Sequence, residues 1–498
     1  MRPTLRAGFA LPLKLWRPAD PLCVISLTFS LICFALGCAA PVQKAAEAPA
    51  QAPELPLEER AAQMLSQAIR FRTVNPPGDE KPLARYLRSV LRAAGIEAHL
   101  VKTPRRDSRR GRAALWARLP GRGLKSPIVL LSHLDVVPAE PEDGWRDDPF
   151  AGLQRDGEVI GRGAIDAKGV AVVHLLTLVE LAKRRERLER DVVLLATPDE
   201  ESGGLFGAGW LVRERPELVL GAEYLLTEGG GIHVDPAGGP DAWQVAVSEK
   251  SPCWLRVETH GRAGHSSVPD PRAAVPRLLE ALDRIRHFET PLHVVPEVAN
   301  MFRALAPLAP PDDRAGFAAL AATLASDAGF RRRFLAEPAY AALVRTTVAI
   351  TVLRGGPRTN VVPAVAAAQI DARLVPGELC ADFAGRIDDL VQGTGAEVQT
   401  LLAFPAASSP VETSLFRAIE SVAHSLDPRS VVVPRVLTGF TDAHWFRDLG
   451  ITAYGFVPRW QRRGEARGIH GPNERISTEN LRRGVETLVA ILERLDQE

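Results

Sequence analysis

Apolar and polar positions along this chain fall into two regimes. Residues 128–132, 192–197 and 224–227 are short, nearly all-apolar runs, the pattern of strands buried on both faces of a parallel sheet. Residues 170–183, between the first two runs, are long enough for a crossover helix. Residues 57–94 carry helical spacing, broken by the turn Pro76-Pro77-Gly78-Asp79. Strands alternating with helices predict an α/β domain built on a central, mostly parallel sheet.

Past Trp243 the order changes. Residues 244–257 read as a strand pair or hairpin, 271–288 as a helix, and 346–353 and 365–374 as strands. A helix over 381–391 and a strand over 397–404 follow. This βαββαβ order predicts a ferredoxin-like α+β module inserted into the first domain, with a Pro- and Ala-rich helical insert at about 295–340. The expected division is 57–243 and 408–498 for the main domain and 244–407 for the inserted one. The chain ends in a helix after Ser477, whose hydroxyl suits an N-cap.

The N-terminus reads as an address. Arg2, Arg6, Lys14 and Arg17 precede an apolar run over 22–36, too short for a membrane span and right for a signal peptide. The run ends in Phe34-Ala35-Leu36-Gly37-Cys38, which resembles the lipobox of bacterial lipoproteins, with Ala35 and Leu36 swapped from the usual order. That implies a signal peptide over 1–38, lipidation of Cys38 and export to the periplasmic or outer-membrane side. Cleavage near Ala40 to a free secreted protein, or retention of the segment as an anchor, are the alternatives. Residues 39–56, rich in Ala, Pro and Glu, form a tether. Membrane contact is expected only through this N-terminus.

A net charge of +1, with 61 basic against 60 acidic residues, gives no reason to expect nucleic acid. The basic clusters at 105–112 and 331–333 lack interleaved aromatics and read as solvated faces. Two of the five cysteines, Cys253 and Cys380, lie outside the N-terminal segment, which excludes a thiolate zinc site. A disulfide between them is possible, but two free buried thiols are expected.

The chemistry gathers at strand ends, where open α/β sheets bind ligands. The first run leads into Ser132-His133-Leu134-Asp135, the second into Pro198-Asp199-Glu200-Glu201, the third into Thr227-Glu228-Gly229-Gly230. The segment from Gly161 to Gly169 adds Asp166. So many carboxylates in one place call for cations. Imidazole and carboxylate donors without thiolates suit zinc, with cobalt or manganese as substitutes. Asp135 shares a strand face with His133 and is expected to hold its tautomer. Glu200 and Glu201 cannot point the same way on an extended chain, so they should divide the work of base and ligand.

The segments SHLDVVP, GRGAIDAKG, PDEESGG, TEGG, GRAGHSSVP, TNVVP and GIHGPNE follow one another here. In that order they resemble the zinc peptidase family of aminoacylase, succinyl-diaminopimelate desuccinylase, carnosinase and bacterial glutamate carboxypeptidase. The resemblance spans nearly the whole chain after the tether. It implies a two-zinc hydrolase cleaving an amide bond next to a free carboxylate, through a metal-activated water with Glu200 as general base. Asp166 would bridge the zincs, His133 and Glu228 would complete one site, and Glu201 and His470 the other. His265 would polarise the scissile carbonyl, and Asn360 and Arg373 would hold the substrate and its carboxylate. A cis bond after Asp166 and a homodimer through the inserted lid are also implied.

His174 and His260 read as structural, whereas His233 and His444 sit in loops that could border the site. The expected substrate is a dipeptide or short peptide, or else an N-acyl amino acid. The apolar stretch 301–343 with its SHLDVVP and TEGG context looks most like the branch that hydrolyses, and can synthesise, N-fatty-acyl amino acids. The helical insert at 295–340 is expected over the cleft, contributing to selection of the acyl group. The rival from another class is a non-catalytic scaffold of the same fold, which should have lost ligands. Here all five and the base are present.

Overall fold

Successive residues of a strand point to opposite faces, and the strand Lys125–His133 uses both. Ile128 and Leu130 enter one core with the helices Leu57–Ile69, Lys168–Ala182, Ser414–Leu426 and Thr478–Gln497. Val129 and Leu131 enter a second core, against the short helices Ala208–Glu214 and Ala443–Arg447. This two-sided burial is why the run carries no polar alternation. The computed structural model describes residues 54–184, 186–235, 241–461 and 468–498. The expected signal peptide over 1–38, with Cys38, and residues 39–53 of the expected tether lie outside the described residues. No helix among the described residues is long and apolar enough to cross a membrane.

The large sheet has ten strands. At its centre Arg190–Thr197, Lys125–His133, Tyr224–Thr227 and Thr452–Gly455 run parallel. The helix Lys168–Ala182 makes the crossover between the first pair in sequence. Glu97–Lys102 and Ala113–Leu119 extend one side antiparallel. Ser477 caps the last helix, its hydroxyl accepting from Asn480 N at 3.2 Å.

The inserted module is a four-stranded antiparallel sheet in the order Thr347–Arg354, Val365–Leu374, Ser251–His260, Ala396–Ala403. Helices Ala274–Arg286 and Cys380–Leu390 cover one face, giving the ferredoxin-like order. Three expectations need correction. Residues 244–249 are not half of a hairpin with the next strand. Ala242–Glu249 belongs to the large sheet, parallel to Val431–Leu437, and only Lys250 separates it from the lid strand Ser251–His260. Cys253 and Cys380 are not free thiols but a disulfide, because Cys380 opens the helix that lies over the Cys253 strand, with Cα atoms 5.3 Å apart. The apolar residues of the helical insert do not form a ligand face. Phe302, Phe317, Phe330 and Phe334 close on one another and on Val433 and Val436 of the strand Val431–Leu437.

Candidate active site

The parallel strands deliver their chemistry at their carboxyl ends. His133 ends its strand level with Thr197, the last residue of the neighbouring one. Beyond Thr197 the chain passes through Asp199 in the left-handed region, φ 78°, into the tight turn Glu200–Ser202. Glu228 follows Tyr224–Thr227 directly. Behind it, a Cβ on Gly230 would stand 2.2 Å from the Gln244 carbonyl and 2.3 Å from that of Gly455, so the backbones meet there only through glycine.

Asp166 sits between two imidazoles. Its Oδ1 is 2.9 Å from His133 Nε2 and its Oδ2 is 3.2 Å from His470 Nε2. Glu228 Oε1 approaches the same His133 nitrogen at 3.4 Å, and Glu201 Oε2 approaches that of His470 at 3.2 Å. The cluster therefore has two halves that share Asp166. Donor atoms of His133, Asp166 and Glu201 lie within 4.8 Å of one another, as do those of His133, Glu200 and Glu228. Glu200 thus stands close enough to one half that distance alone does not separate base from ligand. The Asp166–Ala167 peptide bond is cis.

These residues fit metal ions. Glu201 Oε1 is buried and has no hydrogen-bond partner. Hydrogen bonds to Asp166 and Glu201 push His470 up to about 10. Burial opposes a charged His133, yet Glu228, Asp135 and Asp166 hold it well above the usual imidazole range. Burial followed by the Asp166 charge raises Glu201 to about 7, and burial with neighbouring carboxylates holds Glu200 well above the carboxylate range. Both imidazoles are held toward the charged form and both glutamates of the turn toward the protonated form. Imidazole nitrogens and carboxylate oxygens without thiolates are the donors that divalent zinc, cobalt or manganese accept.

Asp135 supports the cluster in more than the expected way. It meets His133 Nδ1 with its main-chain carbonyl at 2.9 Å and its carboxylate at 3.5 Å. That carboxylate is engaged elsewhere as well. It accepts from Glu200 N at 3.2 Å, Glu201 N at 3.1 Å and Asn75 Nδ2 at 2.8 Å, and so holds the glutamate turn. Asn75 in turn accepts from Arg112, a fully buried guanidinium that also pairs with Asp199. Asp442, buried and pushed up to about 8 by that burial, accepts from Thr197 Oγ1 at 2.7 Å beside Glu200. Sequence reasoning named none of Asn75, Arg112 or Asp442. Asn75 adjoins the Pro76-Pro77 turn, which could have marked it, but Arg112 lay in a basic run that read as solvated.

The lid residues divide. His265 and Val361 are paired partners in the short ribbon Gly264–His265 and Val361–Val362, which brings Asn360 beside His265. The His265 ring takes Ser267 Oγ at 2.8 Å, and among the described residues no hydrogen bond or ion pair joins His265 or Asn360 to the Asp166 cluster. Arg373 gives Nε and Nη2 to Asp371 at 2.7 and 2.9 Å and lies over the Phe440 ring at 4.8 Å. Among the described residues its Nη1 makes no hydrogen bond. His174 is buried in a core helix and lowered to about 3 by that burial, a structural residue as expected. His260 is exposed at a lid strand end beside Glu258. His444 stacks on Phe404 with ring centres 3.6 Å apart, and His233 pairs within the large sheet.

An α/β sheet that gathers an imidazole and carboxylates at its strand ends, joined by a second imidazole from a loop beyond an inserted α+β lid, defines a metal-dependent hydrolase. The chain matches peptidase family M20/M25/M40 over residues 129–494 and belongs to it. It is 29% identical over 377 residues to human N-fatty-acyl-amino acid synthase/hydrolase PM20D1, covering 74% of each chain. It is 28% identical over 436 residues to rat aminoacylase-1A, covering 86% of this chain and 93% of that one. The fold is similar to the M20 family metallo-carboxypeptidase Sso-CP2 of Sulfolobus solfataricus, at TM-score 0.68 and 20% identity over 88% of this chain and 99% of the other. It is also similar to human carnosine dipeptidase 1, at TM-score 0.69 and 16% identity over 89% and 97%.

Proposed function

We propose that this enzyme hydrolyses an amide bond adjacent to a free carboxylate, in an N-acyl amino acid or a dipeptide, with two zinc ions as cofactor. The observation that carries this reading is Asp166, whose two carboxylate oxygens face different imidazoles. His133, Glu228 and Asp166 would hold one ion and Glu201, His470 and Asp166 the other. Bound there, the ions would supply Lewis acidity for the scissile carbonyl and for the attacking water.

The chain's own residues do the rest. Glu200 takes the proton of the water and hands it to the leaving nitrogen, a task suited to a carboxylate whose burial raises its proton affinity. Asp135 fixes that glutamate by its backbone amide. Arg373 pairs with the substrate carboxylate through its unengaged Nη1, while Phe440 steadies its guanidinium. His265 and Asn360 reach the scissile carbonyl by lid closure or from the lid of a second copy.

Between substrates, the N-acyl amino acid reading is supported by the similarity to N-fatty-acyl-amino acid synthase/hydrolase and to aminoacylase-1A. Dipeptide cleavage is the second reading, supported by the fold shared with carnosine dipeptidase 1. Export, by signal peptide with or without lipidation of Cys38, is supported by the Cys253–Cys380 disulfide, which persists in oxidising compartments. A homodimer through the lid is supported by the edge strand Thr347–Arg354, paired on one side only, with Leu353 64% exposed.

The test is a panel of N-acyl amino acids of graded chain length, dipeptides and their C-terminal amides, incubated with zinc-loaded protein and scored by mass spectrometry. Cleavage of the free acids but not the amides is expected. Equal cleavage of both would overturn the carboxylate requirement.

A further inference from the structure

The loop that carries His470 also carries Glu474, and this carboxylate is fully buried. All four of its acceptor positions are filled from one turn. Oε1 accepts from Ile165 N at 2.7 Å and Asp166 N at 3.0 Å, and Oε2 accepts from Gly163 N at 3.0 Å and Arg162 Nη1 at 2.8 Å. The Glu474 carbonyl takes Gly161 N at 2.9 Å as well. The turn from Gly161 to Asp166 is therefore wrapped around a single side chain that arrives from more than 300 residues later in sequence.

These bonds close a circuit. The main chain of Asp166 is held by Glu474, four positions after His470 on the same loop, and the side chain of Asp166 faces His470 Nε2 at 3.2 Å. Past Glu474 the chain is fixed again, because Arg475–Ser477 pairs with Glu158–Ile160. His470 itself is half exposed, at 52% for its side chain, and sits in the left-handed region at φ 57°. Its loop therefore depends on anchors such as Glu474 for its position.

We propose that Glu474 is a positioning residue that sets Asp166 and His470 in register with each other, and so builds the half of the centre completed by Glu201. This rests on the two-metal reading above. The opposite half shares Asp166 but keeps His133 and Glu228, which come from the sheet and do not pass through Glu474. Glu474→Gln keeps the shape but replaces one acceptor oxygen with an NH2 group, so that donor meets donor at Gly163 N or Asp166 N. Glu474→Asp keeps the charge and shortens the reach.

The test is cobalt binding to the metal-stripped full-length enzyme, followed by titration calorimetry and visible absorption, with the thermal midpoint of the stripped protein measured alongside. Wild type should take up two ions. Glu474→Gln should weaken one of them by roughly 10- to 100-fold, the range for residues that orient metal ligands, and the other, which shares Asp166 but keeps its own His133 and Glu228, by clearly less. If Glu474→Gln does not fold, Glu474→Asp carries the test and should weaken the same ion by less. Wild-type affinity for both ions would overturn the proposal. Equal loss of both, with a lowered midpoint of the stripped protein, would make Glu474 merely structural and overturn it too. A wild type that takes up no cobalt would instead defeat the metal reading itself.

Discussion

At the scale of single residues, two adjacent glutamates face different neighbours. Glu201 meets His470 and lies within reach of His133 and Asp166, while Glu200 stands with His133 and Glu228. Glu200→Ala should leave two metal ions bound while turnover collapses by several powers of ten, whereas Glu201→Ala should lose one ion. Elemental analysis beside steady-state kinetics reads both, and the reverse pattern would exchange the roles. Arg112 offers a second check. It is the cation of a buried network with Asp199 and Asn75, so Arg112→Met strands those partners and should cost about 3–5 kcal/mol in denaturant unfolding. A basic run does not reveal which of its members turns inward.

At the scale of elements, periodicity was a good guide wherever burial was two-sided or one-sided in a regular way. The expected strand at 365–374 matches Val365–Leu374, and the helix expected at 381–391 is Cys380–Leu390. It failed at residues 244–257, because two consecutive strands carry the same local pattern whether they pair with each other or enter different sheets. The helical insert shows the same limit. Its Ala, Leu and Phe content suggested a face for a ligand, but those side chains fill a core of their own on Val433 and Val436. Phe302→Ala should therefore cost about 3–5 kcal/mol and lower the melting temperature. The ratio of Michaelis constants for long- and short-chain acyl substrates should stay unchanged, and a selective rise for long chains would restore a role in acyl selection.

At the scale of the whole molecule, the lid is tied to itself and its sheet is open to a partner. Cys253 and Cys380 are 127 residues apart in sequence, so their bond restricts the unfolded chain strongly. Replacing both by serine should cost about 2–4 kcal/mol, measured against an unreduced control in the same denaturant series. Among the described residues no strand pairs with the outer side of the edge strand Thr347–Arg354. Light scattering should report a dimer for the wild type and a monomer when Leu353→Lys places a charge on that strand. A wild-type monomer at micromolar concentration would remove the lid–lid interface.

The sequence alone determined what depends on local composition. It settled the α/β class, the ferredoxin-like order of the insert, and the strand-end residues His133, Glu200, Glu201 and Glu228, because burial and strand termini leave their mark within a few neighbouring positions. His470 was legible only through its resemblance to a family motif, since a histidine in a Gly-rich loop has no local signature. The tertiary structure decided what depends on segments distant in sequence. It determined that Asp135 holds the glutamate turn as well as facing the His133 ring, that Cys253 meets Cys380, and that Glu474 closes on the turn bearing Asp166. Each of these joins groups whose separation along the chain carries no information about their separation in space, and only the packed sheet and its inserted lid bring them within bonding distance.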